Sequence, residues 1–509
     1  MVAKYTREAL ERLLFRRQFI LGPTAVTRLA SWRTIDVGGG LCLTVHPDLE
    51  VEHAVQGDKS ITLLGYAIDP LVPEANNLEV IRTLLDQLET YERLFQATDR
   101  FGGRWVLVVN DGSRVITFTD AAGMRQVFYT RGLSSDQIWC GSQPGLLAEA
   151  LSLSIDPDAT AFVRTNGYLN KPWRWFPGDS TPYKEVKALL PNHYLDLGSG
   201  RVHRYWPRED LIPMSFNEAL EASLKLLRGL MDGAHRRFKM SVAMTAGWDS
   251  RLVLAATRNM AIDTFYFTGI FPDMTAEHMD ALAPSRLLAS LGLKNNLIHC
   301  PSKVDDGLKR VFECSVSEAH REYTPIAQAM LEGCPPDTIC TKGDVAEIVK
   351  CYHRLEDGSE ITANALAKLT QMDPHPFVLN AFNEWLADAR PRNVHLLDLF
   401  CWEQSIGRLE AMFEAEFDLV HDSFSPLNCR EFLTNALRLD EKYRCGPSFL
   451  LFRALIEEMW PDALNEPING QTQVGIKSVI RRAGNAIVPA RLRRLVPRAM
   501  RQPIKWLLS

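Results

Sequence analysis

The chain has 509 residues, of which 46% are hydrophobic, 23% charged and 9% aromatic. These values are typical of a globular protein of two or three domains, and they exclude a disordered, collagenous or disulfide-scaffold protein. The 57 basic and 62 acidic residues give a formal charge of −5, which argues against a general nucleic-acid-binding protein, so no nucleic-acid partner is expected.

The ten cysteines are scattered along the chain, and none of them forms a CxxC pair. This spacing excludes a zinc ribbon or a thioredoxin-type site and predicts reduced, mostly packed thiols. Residues 1–19 mix charges with apolar side chains, unlike the apolar centre of a signal peptide. No uncharged apolar run reaches the roughly 18 residues of a membrane span. We therefore expect a cytoplasmic protein.

Short β-branched and aromatic runs separated by turn residues fill the region from about 42 to 197. They include residues 60–66, 105–109 and 114–119, and the sequence Asn110-Asp-Gly-Ser113 between the last two predicts a hairpin turn. This pattern predicts a sheet-rich, layered α+β domain.

A domain boundary is predicted near residue 210, giving domains 1–210 and 211–470. Pro207 and Pro213 interrupt the strand pattern there, and Ser215-Phe-Asn-Glu218 has the form of a capping box at the start of a helix.

Strands and helices alternate after this helix, which is typical of a parallel α/β sheet covered on both faces. Beyond about residue 364 the periodicity is helical. The predicted order is strand 240–244, helix 250–259, strand 264–268, helix 276–291 and strand 296–299.

Residues 471–509 form a basic, amphipathic tail with nine Lys or Arg residues and no acid. Three interpretations stay open: a solvated tail, a segment that binds an anionic membrane surface or partner, and a segment packed over the active site. The second would place the protein peripherally at a membrane.

The most informative stretch joins the strand at 240–244 to the next helix through Thr245-Ala-Gly-Trp-Asp-Ser250. Such a turn directs backbone N–H groups and a helix N-terminus at a phosphate, with hydroxyls as further donors. Asp249 beside an anion site is explained by Mg²⁺, which bridges carboxylate and phosphate oxygens. The alternative is an ordinary turn in which Asp249 caps the helix.

This stretch resembles the SGGxDS pyrophosphate loop of the asparagine synthetase-like family. Further segments in the family's order match its second helix, its GxGxDELFGGY motif, its glutaminase-like domain and its linker. They are Asp280 to Leu293, Gly343 to Tyr352, Phe101 to Tyr129 and Gly178 to Trp206. The resemblance implies a glutaminase-like (Ntn-type) αββα sandwich followed by an ATP-pyrophosphatase parallel α/β sheet domain with a helical C-terminal part.

The resemblance also implies chemistry: ATP and Mg²⁺ as cofactors, adenylation of a carboxylate, and attack of an amine that releases AMP. A pyrophosphate site is implied at Thr245, Ala246, Gly247, Asp249 and Ser250, with Asp249 as the metal ligand. Thr268 and Gly269 are candidates for adenine contact through backbone groups. Glu347 would orient or deprotonate the amine, and Lys477 lies about where the family keeps a catalytic lysine.

Departures from the family pattern narrow the expected reaction. Thr245-Ala246 replaces Ser-Gly, so the Ala246 methyl is expected to crowd a phosphate or to demand a special backbone geometry. Ala346 replaces the acid before Glu347, unless Asp344 supplies that charge from a shifted register. The sequence starts Met1-Val2-Ala3, without the N-terminal cysteine of the glutaminase, so glutamine is not expected to supply nitrogen.

Relatives that lack this cysteine include β-lactam synthetase and the lasso peptide cyclases. The expected substrates are therefore a small-molecule or peptide carboxylate and an amine, in a specialised or biosynthetic amide synthesis that includes intramolecular peptide cyclisation. Two alternatives remain: an ammonia-dependent asparagine synthetase, and a non-catalytic scaffold that retains the fold.

Overall fold

The computed structural model describes residues 4–29, 31–133, 137–171, 173–275, 277–317, 323–356 and 358–469. Its N-terminal part is built on two antiparallel six-stranded sheets. The strands are β1 Phe19–Gly22, β2 Arg33–Gly38, β3 Leu41–Val45, β4 Val51–Gln56, β5 Lys59–Ile68, β6 Gly102–Asn110, β7 Val115–Thr119, β8 Phe128–Thr130, β9 Cys140–Gly141, β10 Val186–Ala188, β11 His193–Asp196 and β12 Val202–Arg204. The accompanying helices are α1 Arg7–Leu13, α2 Asn77–Gln87, α3 Tyr91–Thr98, α4 Pro144–Leu151, α5 Pro157–Val163 and α6 Asn166–Leu169.

The two sheets pack face to face, in the orders β10-β8-β9-β1-β3-β2 and β12-β11-β7-β6-β5-β4. Strand β6 shows how the sequence builds these layers. Val106 and Val108 join a core shared with Leu43 of the other sheet, whereas Trp105 and Leu107 belong to the core that includes α2. Because successive side chains of a strand point to opposite faces, both faces of this strand are buried. With α4 packed against β9 and β10 on the far side, the result is the expected αββα sandwich.

The second part is a five-stranded parallel sheet in the order β15-β14-β13-β16-β17. Its strands are β13 Lys239–Ala243, β14 Phe265–Ile270, β15 Asn295–His299, β16 Thr338–Thr341 and β17 Ser423–Phe424. The helices are α7 Phe216–Arg237, α8 Trp248–Ala256, α9 Met279–Ser290, α10 Asp306–Ser315, α11 Thr324–Gly333, α12 Ala363–Leu369, α13 Pro376–Ala389, α14 Leu396–Phe400, α15 Ala411–Phe417, α16 Arg430–Leu437, α17 Glu441–Arg444 and α18 Leu450–Met459. Short 3-10 segments span Arg258–Asp263, Ala346–Val349 and Pro461–Leu464, and a π-helix spans Cys401–Glu410.

The predicted fold class is confirmed, and most predicted elements lie within a few residues of the observed ones. The capping box is present, because the Ser215 side chain accepts from the Glu218 N–H while the Glu218 carboxylate accepts from the Ser215 N–H. The helix predicted from Ser250 begins two residues earlier, at Trp248, which places Asp249 inside its first turn.

Buried polar contacts join the two parts of the chain. Arg104 of β6 is 2% exposed and donates to the Asp418 carboxylate at 2.6 and 2.9 Å. The Asn428 side-chain amide donates to the Gly103 carbonyl at 2.8 Å. The last sandwich strand ends at Arg204 and α7 begins at Phe216, and the domain limits 1–210 and 211–470 stay predictions.

The prediction that the thiols are reduced is wrong for one pair. Cys351 and Cys445 form a disulfide, with their Cα atoms 5.4 Å apart. Ninety-four residues separate them in the chain, so only tertiary folding brings them together. Of the other eight cysteines, six are buried, as expected for packed thiols.

Within the described ranges, no helix combines the length and the apolar character needed to cross a membrane.

Candidate active site

The candidate site lies at the carboxyl ends of β13 and β16. From β13 the chain builds the sheet outward through β14 and β15, and it then returns to place β16 on the other side of β13. Ligands of open parallel sheets bind at such a switch point, outside the carboxyl ends of the strands. The segments Thr245 to Ser250 and Gly343 to Glu347 follow these two strands, so the topology brings together the two motifs that the sequence singled out.

Hydroxyl groups hold the loop after β13 in shape. Thr245 Oγ1 and Ser250 Oγ are 3.1 Å apart, and the Thr245 N–H donates to Ser250 Oγ at 3.2 Å. The Gly247 N–H donates to Thr245 Oγ1 at 3.2 Å. Gly247 is the N-cap of α8, and no side chain of the described residues caps this helix. The positive end of α8 therefore lies at the carboxyl end of β13, where it favours an anion.

Ala246 fits the loop without the expected strain. Its φ is negative and it is 2% exposed, so its methyl group packs inside the protein rather than on the open side of the loop. Its N–H donates to Asp280 Oδ1 at 3.0 Å, and its carbonyl accepts from the Asn469 N–H at 2.9 Å. A carboxylate of α9 thus accepts a hydrogen bond from a backbone N–H of the loop for which the sequence predicts a pyrophosphate site.

Asp249, Lys350 and Glu347 form the charged centre of the site. Lys350 Nζ lies 2.6 Å from Asp249 Oδ2 and 3.1 Å from Glu347 Oε1. Burial raises the pKa of Asp249 to about 6; the Lys350 ammonium opposes this shift and the Glu347 carboxylate adds to it. Burial opposes the charge of Lys350, but the two carboxylates outweigh it and raise the pKa of the ammonium. Lys350 therefore stays protonated between two anions.

The donor set at Asp249 fits a magnesium ion. Asp249 Oδ1 is buried and accepts no hydrogen bond from any described residue, although Oδ2 is engaged by Lys350. Mg²⁺ takes oxygen ligands, commonly one or two carboxylates with phosphate oxygens and water. Asp249 would hold the ion through this oxygen, with the Thr245 and Ser250 hydroxyls nearby in the same loop.

A glycine sets the distance between the two loops. A Cβ at Gly343 would lie 2.6 Å from the Asp249 Cβ and 2.7 Å from its carbonyl carbon, closer than non-bonded atoms approach. Val345, two residues on, is fully buried with a φ of +80°, a left-handed conformation that is rare for a β-branched residue. Such strain is typical of functional sites. Here the left-handed conformation of Val345 leads the chain into the 3-10 turn that carries Glu347.

Asp344 does not replace the acid that Ala346 lacks. Its Oδ2 lies 3.1 Å from Lys342 Nζ. Burial raises the pKa of Asp344 to about 7, with Lys342 opposing and Glu414 adding to the shift. Ala346 itself is fully buried. The charge beside Glu347 is instead the cation of Lys350, so the site carries a positive group near the place where the family motif has a second negative one.

The remaining candidate residues, together with Arg251 beside the loop, divide into three groups. Thr268 Oγ1 donates to the Met244 carbonyl at 2.9 Å and supports the loop, while adenine contact through Thr268 and Gly269 stays a prediction. Arg251, in the first turn of α8, is buried and donates to the Ala463 and Glu466 carbonyls, so it faces neither the loop nor solvent. Lys477 lies outside the described residues.

Three residues of this region were not predicted. Lys350 lies three residues after Glu347 on a helical turn, a spacing that pairs opposite charges and could have revealed it. Asp280 lies in a segment that matches the family, but its contact with Ala246 depends on tertiary folding. Glu410 ends the π-helix, and burial, with added effects of Asp344 and Glu347, raises the pKa of this carboxyl well above its usual range.

A cavity of about 800 Å³ lies elsewhere, between the edges of the two antiparallel sheets and α13. Tyr129, His193, Trp385 and Asp388 are among its lining residues, and none of the predicted site residues is.

No protein-family model and no curated protein matches this sequence. Solved structures with some similarity include glutamine phosphoribosylpyrophosphate amidotransferase from B. subtilis complexed with ADP and GMP, which is 9% identical, covers 73% of this chain and 88% of its own, and has a TM-score of 0.25. An allosteric regulatory enzyme of purine biosynthesis is 11% identical over 77% of this chain and 91% of its own, with a TM-score of 0.24. Glutamine-dependent NAD⁺ synthetase from Acinetobacter baumannii in complex with ADP is 12% identical over 54% and 67%, with a TM-score of 0.21. Scores this low say nothing about the activity of this chain.

Proposed function

We propose that the protein is an ATP-dependent, AMP-forming amide ligase of the asparagine synthetase-like type. One observation carries the proposal: the loops after β13 and β16 meet at the switch point of a parallel sheet, and they bring Asp249, Lys350 and Glu347 into direct contact. A helix N-terminus that no described side chain caps, a carboxylate oxygen without a partner among the described residues, and a cation are groups suited to a magnesium-bound triphosphate.

The chain's own residues would act in two stages. The N-terminus of α8 and the Thr245 and Ser250 hydroxyls bind the β- and γ-phosphates, while Asp249 holds the magnesium ion. A magnesium ion held by Asp249 would supply positive charge to offset the charge that develops on the departing pyrophosphate. Fixed donors contribute to this stabilisation because they need no reorganisation during the reaction. Glu347 then accepts a proton from the amine that attacks the acyl-adenylate.

The substrates are proposed to be a carboxylate and an amine of specialised biosynthesis, in small molecules or peptides. The basic segment 471–509 is proposed to bind an anionic surface, on the strength of its charge alone. Its binding to anionic vesicles should weaken with salt, because exposed charges are screened over about 8 Å at physiological ionic strength. Salt-independent binding, or none, would remove this part of the proposal.

Nucleotide product analysis tests the reaction type. Incubated with Mg·ATP, an amine and a panel of carboxylic acids, the protein should release AMP and pyrophosphate, whereas ADP and phosphate would indicate a kinase-like ligase. Asp249→Asn keeps the shape of the side chain and removes its charge, so this variant should lose AMP formation. A protein that binds no nucleotide would instead support a scaffold that retains the fold.

A further inference from the structure

We infer that Lys350 is a phosphate ligand for the leaving pyrophosphate, and that it serves as the counter-ion of Asp249 while the nucleotide site is empty. This inference rests on the proposed function. Lys350 Nζ contacts both Asp249 Oδ2 and Glu347 Oε1, and the lysine side chain is only 13% exposed. Among the described residues, it is thus the cation in contact with the predicted metal ligand.

The charge balance explains why the lysine would move. One ammonium contacts two carboxylates, with Nζ 2.6 Å from Asp249 Oδ2 and 3.1 Å from Glu347 Oε1. A metal ion on Asp249 Oδ1 would neutralise the carboxylate whose Oδ2 contacts Lys350, and it would so weaken one of the two ion pairs of the lysine. A largely buried ammonium needs anionic partners close by, and the nearest additional anion would be the phosphate chain held by the same metal. The flexible four-carbon stem of lysine permits such a shift.

The adenylation step shows what this contact achieves. A carboxylate oxygen of the substrate forms a bond to the α-phosphorus, and the bond between that phosphorus and the α–β bridging oxygen breaks. The electron pair of the broken bond stays on the pyrophosphate, and no proton moves. An N–H group of Lys350 donates to the oxygen on which this charge develops. Glu347 remains beside the lysine, where the amine is deprotonated in the following step.

Removing the charge of Lys350 should have different effects if the lysine is a phosphate ligand than if it only forms a structural ion pair. Lys350 competes with a metal ion for Asp249, so Lys350→Met should tighten the binding of Mn²⁺ in the absence of nucleotide. The same change should weaken the binding of magnesium pyrophosphate. A lysine that only holds the loops together would weaken both.

The test uses the full-length chain and two probes, Mn²⁺ alone and magnesium pyrophosphate, at about pH 8, well above the ordinary pKa range of a carboxyl group. Lys350→Met should lose about 10- to 100-fold in pyrophosphate affinity, the worth of one hydrogen bond to a charged group. Lys350→Gln still donates hydrogen bonds to both carboxylates and should show the same two effects, so it serves if the Met variant does not fold. Lys239→Met, at the opposite end of β13, should change neither affinity.

Unchanged pyrophosphate affinity in either Lys350 variant, or weaker Mn²⁺ binding, would overturn this inference and leave the proposed function standing. A parent protein that binds neither ATP nor pyrophosphate would overturn both.

Discussion

The Ala246 N–H donates a 3.0 Å hydrogen bond to Asp280 Oδ1. A carboxylate from the first turn of α9 thus lies on the loop that is proposed to hold phosphate. This contact fixes the loop, and it places a negative charge next to the proposed site of a polyanion.

Changing Asp280 to Asn should strengthen ATP binding. Asparagine keeps an oxygen that can accept from the Ala246 N–H, but it removes the charge that repels phosphate. Because the Asp280 side chain is 43% exposed, solvent screens this charge, and we expect a gain of only about twofold to fivefold in affinity. Calorimetry with Mg·ATP measures it. Weaker binding by the Asn variant would show that the carboxylate supports the bound state.

Metal binding should depend on pH through Asp249. Burial raises its pKa to about 6, and the proton competes with a metal ion for the carboxylate. Mn²⁺ affinity should therefore be full above that pH and should fall below it, whereas an ordinary aspartate would bind metal down to about pH 4. Mn²⁺ titrations followed by electron paramagnetic resonance give the midpoint. Asp280→Asn leaves Asp249 in place and should keep this midpoint; a midpoint near pH 4 in the parent would contradict the buried environment of Asp249.

Replacing Gly343 with Ala should destabilise the protein and weaken nucleotide binding together. The new methyl would lie 2.6 Å from the Asp249 Cβ, so the two loops must separate. Overpacking of this kind costs about 1–3 kcal/mol of the free energy of unfolding, measurable by urea denaturation. Gly198→Ala is the matched control, since its methyl would meet nothing closer than 3.4 Å. Equal stability and equal ATP affinity in the two variants would show that the close approach is unimportant.

Reduction of the Cys351–Cys445 disulfide should lower the free energy of unfolding. The bond closes a loop across 94 residues, and the loss of this constraint on the unfolded chain corresponds to about 4–5 kcal/mol in the chain-entropy model. Cys445→Ser should show the same loss and no further response to a reducing agent. Alkylation of both thiols without prior reduction would show that the bond does not form.

The parts of the structure that depend on local patterns could be predicted from the sequence. The apolar run of β6, the Asn110 to Ser113 hairpin and the Ser215 capping box are encoded within a few residues. The αββα arrangement and the Thr245 to Ser250 loop followed from a family resemblance. Contacts that depend on distant segments were missed. Lys350 contacts Asp249 across 101 residues of sequence, and Asp280 accepts a hydrogen bond from the Ala246 N–H. The buried Arg251 donates to the Ala463 and Glu466 carbonyls. Val345 was missed as well, because nothing in its identity indicates a positive φ.

Calorimetric titration with ATP is the most direct test of the central claim that Asp249 and its loop form a magnesium-dependent nucleotide site. The parent protein should bind ATP with excess Mg²⁺, and binding should weaken when a chelator removes the metal. Asp249→Asn should lose about 10- to 100-fold in affinity under the same conditions. Undetectable binding by the parent at millimolar ATP, or equal affinities in the parent and the Asn variant, would contradict the account.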